Sequence, residues 1–175
     1  MLERLSITDF EEFYRILEES FPVDERREKE EQKALWDKKE YVVYGLKKEE
    51  RLLGFLAVWK LENCCFLEHF AIDKRARNAG YGSKMLRELC KLEQNLVLEV
   101  ELPETELAKR RIAFYKRNAF CYHEYEYMQP ALSKGRKPIP LHIMTYPKAL
   151  SKEEFEKIKR EIYKEVYCIK VPAIT

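Results

Sequence analysis

Apolar residues recur every three or four positions in several stretches of the chain, the pattern of helices that bury one face. Phe10, Phe13 and Leu17 repeat in this way behind Thr8, which with Glu11 has the spacing of a capping box. The predicted helices start at Thr8, Asp24, Gly80, Glu104 and Ser151. The second, over residues 24–36, is apolar only near its end, so we expect a surface helix whose charges are solvated.

Runs rich in β-branched and aromatic residues lie between these helices and predict strands. The predicted strands cover residues 2–5, 41–46, 52–61, 64–72, 96–102, 119–128 and 141–146. The resulting order βααβββαβαββα predicts a mixed α/β fold: a mostly antiparallel sheet flanked by helices, with a strand–helix–strand crossover in the middle. We expect a single domain over residues 1–175, with a core at about 2–127, a loop at 129–140 and a C-terminal strand and helix within 141–167.

Composition narrows the class of protein. A chain of 175 residues with 46% hydrophobic residues has the size and apolar content of one folded domain and is not a disordered chain. No apolar run approaches the length of a membrane span, and the charged N-terminus lacks the apolar core of a secretory signal. Thirty-three basic against thirty-one acidic residues leave a net charge of +2, which favours neither a nucleic-acid nor a membrane partner.

The five cysteines follow neither a zinc-binding nor a disulfide pattern. None of the pairs has C-x-x-C spacing, and the adjacent Cys64 and Cys65 point to opposite faces of an extended strand. We therefore expect reduced thiols, no metal site and a cytoplasmic location.

The most informative segment runs from Phe66 to Leu89. A predicted strand ends at Ile72, two glycines follow within three residues, and a helix begins at once. Glycines let backbone N–H groups approach a ligand closely, and a helix N-terminus attracts anions, so the segment could hold phosphate oxygens. An ordinary strand-to-helix turn explains the glycines equally well. A dinucleotide fingerprint would need Gly or Ala where Met85 stands, and a Walker loop would need Lys directly after a glycine, which occurs nowhere in the chain.

The segment resembles the central signature of the GNAT family, the acetyl-CoA-dependent N-acetyltransferases. Arg77-x-x-Gly80-x-Gly82 matches that signature and follows an apolar strand, as it does in the family. A second family element, Phe-Tyr followed by Gly-Phe, reads Phe114-Tyr115 and Ala119-Phe120 here, with alanine in place of glycine. The asparagine often found about seven residues before the tyrosine is Ala108. The resemblance covers about residues 2–127 and implies the GNAT fold.

The resemblance also implies a function, the transfer of an acetyl group from acetyl-CoA to the primary amine of a small molecule or peptide, without a metal. Family residues that bind acetyl-CoA match Phe70, Ala71, Ile72, Arg77, Asn78, Ala79, Gly80, Tyr81, Gly82 and Ser83. Two alternatives remain open: a non-catalytic CoA-binding sensor on the same fold, and an interaction module that binds no nucleotide. A homodimer is compatible with all three.

Two residues are candidates for proton transfer. A protonated amine must lose a proton before it attacks a thioester, and a carboxylate on the strand beside the thioester can take it, which points to Glu68. Strict alternation places Glu68 on one face with Phe70 and Ile72, and a β-bulge would change this register. The alternative for Glu68 is an edge carboxylate paired with Arg or Lys, and His69 is a second candidate base. Tyr115 matches the family position whose hydroxyl protonates the leaving thiolate.

Three tyrosines of the later strand, Tyr122, Tyr125 and Tyr127, could line an acceptor pocket together with the loop that begins at Gln129. Tyrosines are also ordinary half-exposed residues of sheets, so this pattern alone does not separate the two interpretations.

Overall fold

A seven-stranded sheet organises the chain in the computed structural model, which describes residues 1–169. Residues 170–175, which belong to the predicted domain, lie outside the described residues. The elements are β1 Glu3–Arg4, α1 Phe10–Ser20, α2 Lys29–Ala34, β2 Tyr41–Lys48, β3 Arg51–Lys60, β4 Cys65–Ile72, α3 Tyr81–Leu92, β5 Leu96–Glu101, α4 Glu106–Arg117, β6 Cys121–Gln129, β7 Ile139–Tyr146 and α5 Lys152–Glu165. This order confirms the predicted mixed α/β fold.

The strands lie in the order β1-β2-β3-β4-β5-β7-β6, and every neighbouring pair is antiparallel except β4 and β5. The parallel pair is joined by α3, which is the predicted crossover. Its pairing covers only Cys65↔Leu96, Phe66↔Val97 and Leu67↔Leu98. Beyond these residues β4 and β5 no longer pair with each other, although each still pairs with its other neighbour. The sheet therefore opens between their C-terminal ends.

Each face of the sheet carries its own apolar core. Phe13 of α1 and Phe155 of α5 pack with Phe66 on one face. Met85 of α3 and Ile112 of α4 pack on the other. Because helices cover both faces, β3 is buried along nearly its whole length. None of the helices within residues 1–169 is long and apolar enough to cross a membrane.

Residues 24–36 do not form the single surface helix that their composition predicts. A 3₁₀ turn covers Val23–Glu25, the backbone is extended at Arg26, and α2 has only six residues. Arg27 and Gln32 are buried, with 6% and 0% exposure, so this segment does not simply present solvated charge. The extended backbone turns Arg27 inward toward a buried carboxylate, and this tertiary contact overrides local helix propensity.

Two smaller differences concern element ends. The first helix is preceded by a turn in which the Ser6 N–H donates to Asp9 Oδ2 at 2.9 Å, so the N-terminal cap is not the pair Thr8 and Glu11. The predicted loop is shorter, because β6 extends to Gln129 and β7 starts at Ile139.

Candidate active site

The opening between β4 and β5 holds a cavity of about 620 Å³. Its walls include both diverging strands, the start of α3, one side of α4 and the 3₁₀ turn at Val23–Glu25. Most of the residues predicted to bind the cofactor border it: Phe70, Ala71, Ile72, Arg77, Asn78, Gly80, Tyr81, Gly82 and Ser83. The two predicted catalytic residues, Glu68 and Tyr115, border it as well. Ala79 is not part of its wall.

The N-terminus of α3 forms one end of the cavity. Gly80 precedes the helix with φ of +77°, a left-handed conformation that glycine adopts without strain, and a Cβ there would meet no atom within 4 Å. Among the described residues, the N–H groups of Tyr81, Gly82 and Ser83 have no hydrogen-bond acceptor. Three free donors and the positive end of the helix dipole are what phosphate oxygens require.

The loop before this helix is fixed by Asp73, whose residue exposure is 1%. Its Oδ1 accepts hydrogen bonds from the N–H of Arg75 at 2.8 Å and from Arg75 Nε at 3.0 Å. Its Oδ2 accepts from Arg15 of α1 at 2.7 Å. These bonds hold the pKa of Asp73 well below its ordinary value. Arg77 is exposed and donates from Nε to the Ile72 carbonyl at 3.1 Å, which places its guanidinium beside the cavity.

A β-bulge in β4 sets the direction of the next side chains. Ala57 pairs with His69 and Val58 pairs with Leu67, so Glu68 is the extra residue. Phe70 and Ile72 pack with the core on the α3 side. Glu68 instead contacts groups on the opposite face. Strict alternation, which would put Glu68 on the same face as Phe70 and Ile72, therefore does not hold, because the bulge shifts the register by one residue.

Glu68 is held in a buried ion pair. Arg27 NH1 lies 2.7 Å from Glu68 Oε1, and both side chains are less than 10% exposed. Trp59 Nε1 donates to Glu68 Oε2 at 2.9 Å. Burial works to raise the pKa of Glu68, but the charge of Arg27, the neighbouring His69 and the hydrogen bonds from Trp59 and Arg27 together lower the pKa below the ordinary value. The carboxylate is therefore charged and partnered, as in the alternative interpretation, and is a weak proton acceptor.

A second carboxylate in the cavity wall, Glu99 of β5, is not among the residues singled out from the sequence. Burial raises its pKa to about 7, although its Oε1 accepts hydrogen bonds from Tyr127 at 2.5 Å and Tyr167 at 2.7 Å. A carboxylate between Leu98 and Val100 in an apolar strand is the same kind of signal as Glu68, so the sequence did contain a pointer to it. A pKa near 7 suits a general base at physiological pH.

Tyr115 lies on α4 across the opening from these strands. Its ring contacts Phe114 and Phe120, with centroids 5.3 Å and 5.6 Å away. Burial raises the pKa of its hydroxyl to about 12, so the phenol keeps its proton at neutral pH. The phenol is therefore a hydrogen-bond donor at neutral pH, and it can donate toward a sulfur atom that gains negative charge as the carbon–sulfur bond breaks.

The wall opposite α3, which we call the acceptor wall, combines residues 24–31 with the loop at 129–137. Gln129 Nε2 donates to the Asp24 carbonyl at 3.3 Å, and Lys137 N–H donates to Asp24 Oδ1 at 3.1 Å. Arg136 forms an ion pair with Glu28 at 2.6 Å. Glu25 and Gln129 of this wall border the cavity. The loop that follows Gln129 therefore supports one side of the cavity.

The tyrosines of β6 have other partners. Tyr127 binds Glu99, Tyr125 donates to the Leu150 carbonyl at 3.2 Å, and Tyr122 is hydrogen-bonded to His142. None of the three borders the cavity directly. Within residues 1–169 there is also no group of three or more His, Cys, Asp or Glu side chains placed to hold a metal ion.

Comparison with known proteins identifies the family. The family model described as acetyltransferase (GNAT) family matches residues 10–120, which is more than half of the chain. The chain belongs to the GNAT acetyltransferase family. A solved GNAT-family structure from Bacteroides thetaiotaomicron superposes on this GNAT chain with a TM-score of 0.90 and 31% identity, covering 97% of this chain and 99% of the other. This confirms the resemblance predicted from Arg77, Gly80, Gly82 and the Phe114–Phe120 element.

Two further relatives differ more in sequence. The Bacillus subtilis (strain 168) protein YjbC, provisionally named an acetyltransferase, is 24% identical over 161 residues, which cover 90% of this chain and 82% of that protein. The ribosomal-protein-S18-alanine N-acetyltransferase of Escherichia coli has a TM-score of 0.66 at 18% identity, covering 87% of this chain and 96% of the other, and shares the fold. The GNAT fold thus extends over nearly the whole chain, including β7 and α5.

Proposed function

We propose that this GNAT protein transfers the acetyl group of acetyl-CoA to a primary amine by direct attack on the thioester. The observation that carries the proposal is the opening between β4 and β5, where free helix N–H groups, a carboxyl group with a pKa near 7 and a protonated tyrosine border one cavity. The pyrophosphate would bind at Arg77–Ser83, and the thioester would lie beside Phe70–Ile72. We expect the reaction in the cytoplasm; a homodimer stays a prediction.

Glu99 is the proposed proton acceptor. The pKa of Glu68 is lowered by Arg27, whereas the pKa of Glu99 is raised to about 7, so Glu99 is the better base of the two. A primary ammonium loses one proton to Glu99, directly or through a water, and the free amine attacks the carbonyl carbon. Glu68 would then act as a positioning residue that anchors the bulge of β4.

The remaining step breaks the carbon–sulfur bond. Attack forms a tetrahedral intermediate, and backbone N–H groups of β4 near Phe70–Ile72 would donate to its oxyanion, since this stretch has no pairing with β5. The intermediate collapses to the amide, the sulfur leaves as a thiolate, and Tyr115 gives it a proton. The second proton lost by the amine replaces, through solvent, the one that Tyr115 gave up. Glu99 releases its proton to solvent, so the products are the N-acetylated amine, CoA and one proton.

The test compares three variants, Glu99→Gln, Glu68→Gln and Tyr115→Phe, by turnover with an amine panel and by the thermal shift with acetyl-CoA. Glu99→Gln should lower kcat by about 10²–10⁴-fold and remove the rise of kcat/KM around pH 7. All three should still gain stability from acetyl-CoA, because none of these side chains is assigned to phosphate binding. A fully active Glu99→Gln beside an inactive, folded Glu68→Gln would return the role of base to Glu68. Stabilisation by acetyl-CoA without turnover of any amine would favour the sensor.

A further inference from the structure

The acceptor wall contains one carboxylate, that of Glu25, which borders the cavity without a partner among residues 1–169. Glu25 is half-buried and borders the cavity, and within residues 1–169 its carboxylate has neither an ion-pair nor a hydrogen-bond partner. Burial and the nearby charge of Glu101 raise its pKa. Glu101 also borders the cavity and pairs with Arg111 at 2.7 Å. With one guanidinium beside two carboxylates, this end of the cavity is acidic.

His69 gives a second, independent observation at the same cavity. The residue is 3% exposed and borders the same cavity. Its Nε2 lies 2.7 Å from the carbonyl oxygen of Glu25, and since a carbonyl only accepts, Nε2 carries the ring proton. Burial lowers the pKa of His69 and keeps the ring neutral, so Nδ1 holds a lone pair.

Among the described residues this Nδ1 has no hydrogen-bond partner. The nearest acidic atom, Glu68 Oε2 at 3.8 Å, can only accept when the carboxylate is ionised. Apart from the paired guanidinium of Arg111, the Glu25 carboxylate and His69 Nδ1 thus place unpartnered acceptors on residues that border the cavity. A ligand rich in N–H donors and positively charged satisfies both the unpartnered nitrogen and the unpaired carboxylate, whereas a carboxylated ligand would be repelled by Glu25.

We propose that the acceptor is an amine that carries a second positive charge, and that Glu25, with Glu101 beside it, binds this second charge. The inference rests on the proposed transfer and names its substrate class. The chemistry is that of a diamine or of a peptide amine next to a basic side chain; one amine enters toward the thioester and the other cationic group stays at the acceptor wall.

A matched series of acceptors tests the charge directly. Putrescine, 1-aminopentane and 5-aminopentanoate present the same amine on four methylene groups and end in an ammonium, a methyl and a carboxylate. We expect kcat/KM for putrescine to exceed that for 1-aminopentane by about tenfold or more, the effect of one charge-assisted contact. 5-Aminopentanoate should be the poorest of the three. Equal rates for putrescine and 1-aminopentane, or a preference for 5-aminopentanoate, would overturn the proposal.

Glu25→Gln locates the effect. It should lower the putrescine-to-aminopentane ratio of kcat/KM about tenfold, because it removes the charge and keeps the carbonyl that binds His69. Glu30→Gln, on the exposed part of α2, is the matched control and should leave the ratio unchanged. Alanyl-lysine amide against alanyl-norleucine amide repeats the comparison for peptides and separates the two sources of the same chemistry. An unchanged ratio in Glu25→Gln contradicts the assignment.

A binding measurement keeps this inference separate from the transfer itself. Titration calorimetry of putrescine into the CoA complex reads the cation site whether or not acetyl is transferred. Binding that weakens about tenfold in Glu25→Gln, with no turnover of any amine, supports the cation site and contradicts the transferase. Turnover of amines without preference for the dication supports the transferase and contradicts the cation site.

Discussion

Arg27→Met removes the positively charged group that pairs with Glu68 and keeps an unbranched apolar side chain in its place. The carboxylate remains less than 10% exposed, with Trp59 as its hydrogen-bond donor and His69 nearby. Breaking a buried ion pair from one side costs about 3–5 kcal/mol. At about 2–4 °C per kcal/mol for a chain of this size, the melting temperature should fall by about 6–20 °C. The variant should remain folded at 10–20 °C if the wild type has ordinary stability.

The pH dependence of stability gives the sharper test, because the pKa of Glu68 is lowered in the wild type and raised in the variant. In the wild type the pKa of Glu68 is lowered, so its stabilising effect is present above the unfolded pKa near 4.3 and is lost only as the pH falls through the lowered pKa. In Arg27→Met, burial without the cation raises the pKa instead. Folding then requires Glu68 to take up a proton, and each pH unit above about 4.3 costs up to about 1.36 kcal/mol.

Urea unfolding followed by circular dichroism at pH 5 and pH 7 measures this difference. Arg27→Met should lose up to about 2.7 kcal/mol more than the wild type between these two pH values. The double variant Arg27→Met/Glu68→Gln keeps an acceptor for Trp59 and should regain the wild-type slope. Arg110→Met, an exposed change on α4, should alter neither quantity. If Arg27→Met unfolded with the wild-type slope and lost less than about 1 kcal/mol, the charge of Glu68 would depend on other groups and the reasoning would be refuted.

Further predictions concern the cofactor loop and the acceptor wall. Gly80→Ala and Gly135→Ala both place alanine at a φ near +80° without a steric clash, so each should lower the free energy of unfolding by about 1–2 kcal/mol. Calorimetry should show weaker acetyl-CoA binding for Gly80→Ala only. Asp73→Asn should reduce stability at pH 7 and make stability fall less steeply on acidification. The lowered pKa of Asp73 stabilises the fold above about pH 3.9, and this contribution disappears as the pH falls. A variant whose stability falls with acid as steeply as that of the wild type would contradict this. Arg136→Ala should increase proteolysis within residues 129–137 relative to Lys134→Ala, and equal cleavage would contradict the role of the Glu28 pair.

The order of elements was predictable because its signals are local. Phe10, Phe13 and Leu17 mark α1 within two turns, and strand runs such as Leu96–Leu102 are continuous in sequence. The position of the signature between a strand and a helix, together with the Phe114–Phe120 element and the order of elements, was sufficient to predict the family. The structure confirms the order of elements, and the comparison with known proteins confirms the family.

The interior of the site was less predictable, because its contacts join distant residues. Arg27 and Glu68 are 41 positions apart, and no local pattern distinguishes Arg27 from the charges around it. The bulge at Glu68 depends on pairing with β3, which cannot be derived from β4 alone. Glu99 differs: its apolar neighbours marked it as clearly as those of Glu68, but its raised pKa follows from burial, which only the fold supplies. The roles of Glu68 and Tyr115 stay predictions for the variants above.

The acceptor wall is assembled from two segments that lie about a hundred residues apart, joined by contacts such as Gln129 to Asp24 and Arg136 to Glu28. The diverging strands and α3, where the thioester chemistry is proposed, are built from other parts of the chain. Apart from Arg27, which pairs with Glu68 of β4, and Gln129, which ends β6, both halves of the wall can therefore be exchanged together without rebuilding the sheet. In evolution, new acceptor preferences would arise by paired changes across this seam, and positions 28 and 136 should covary among relatives as an acid and a base.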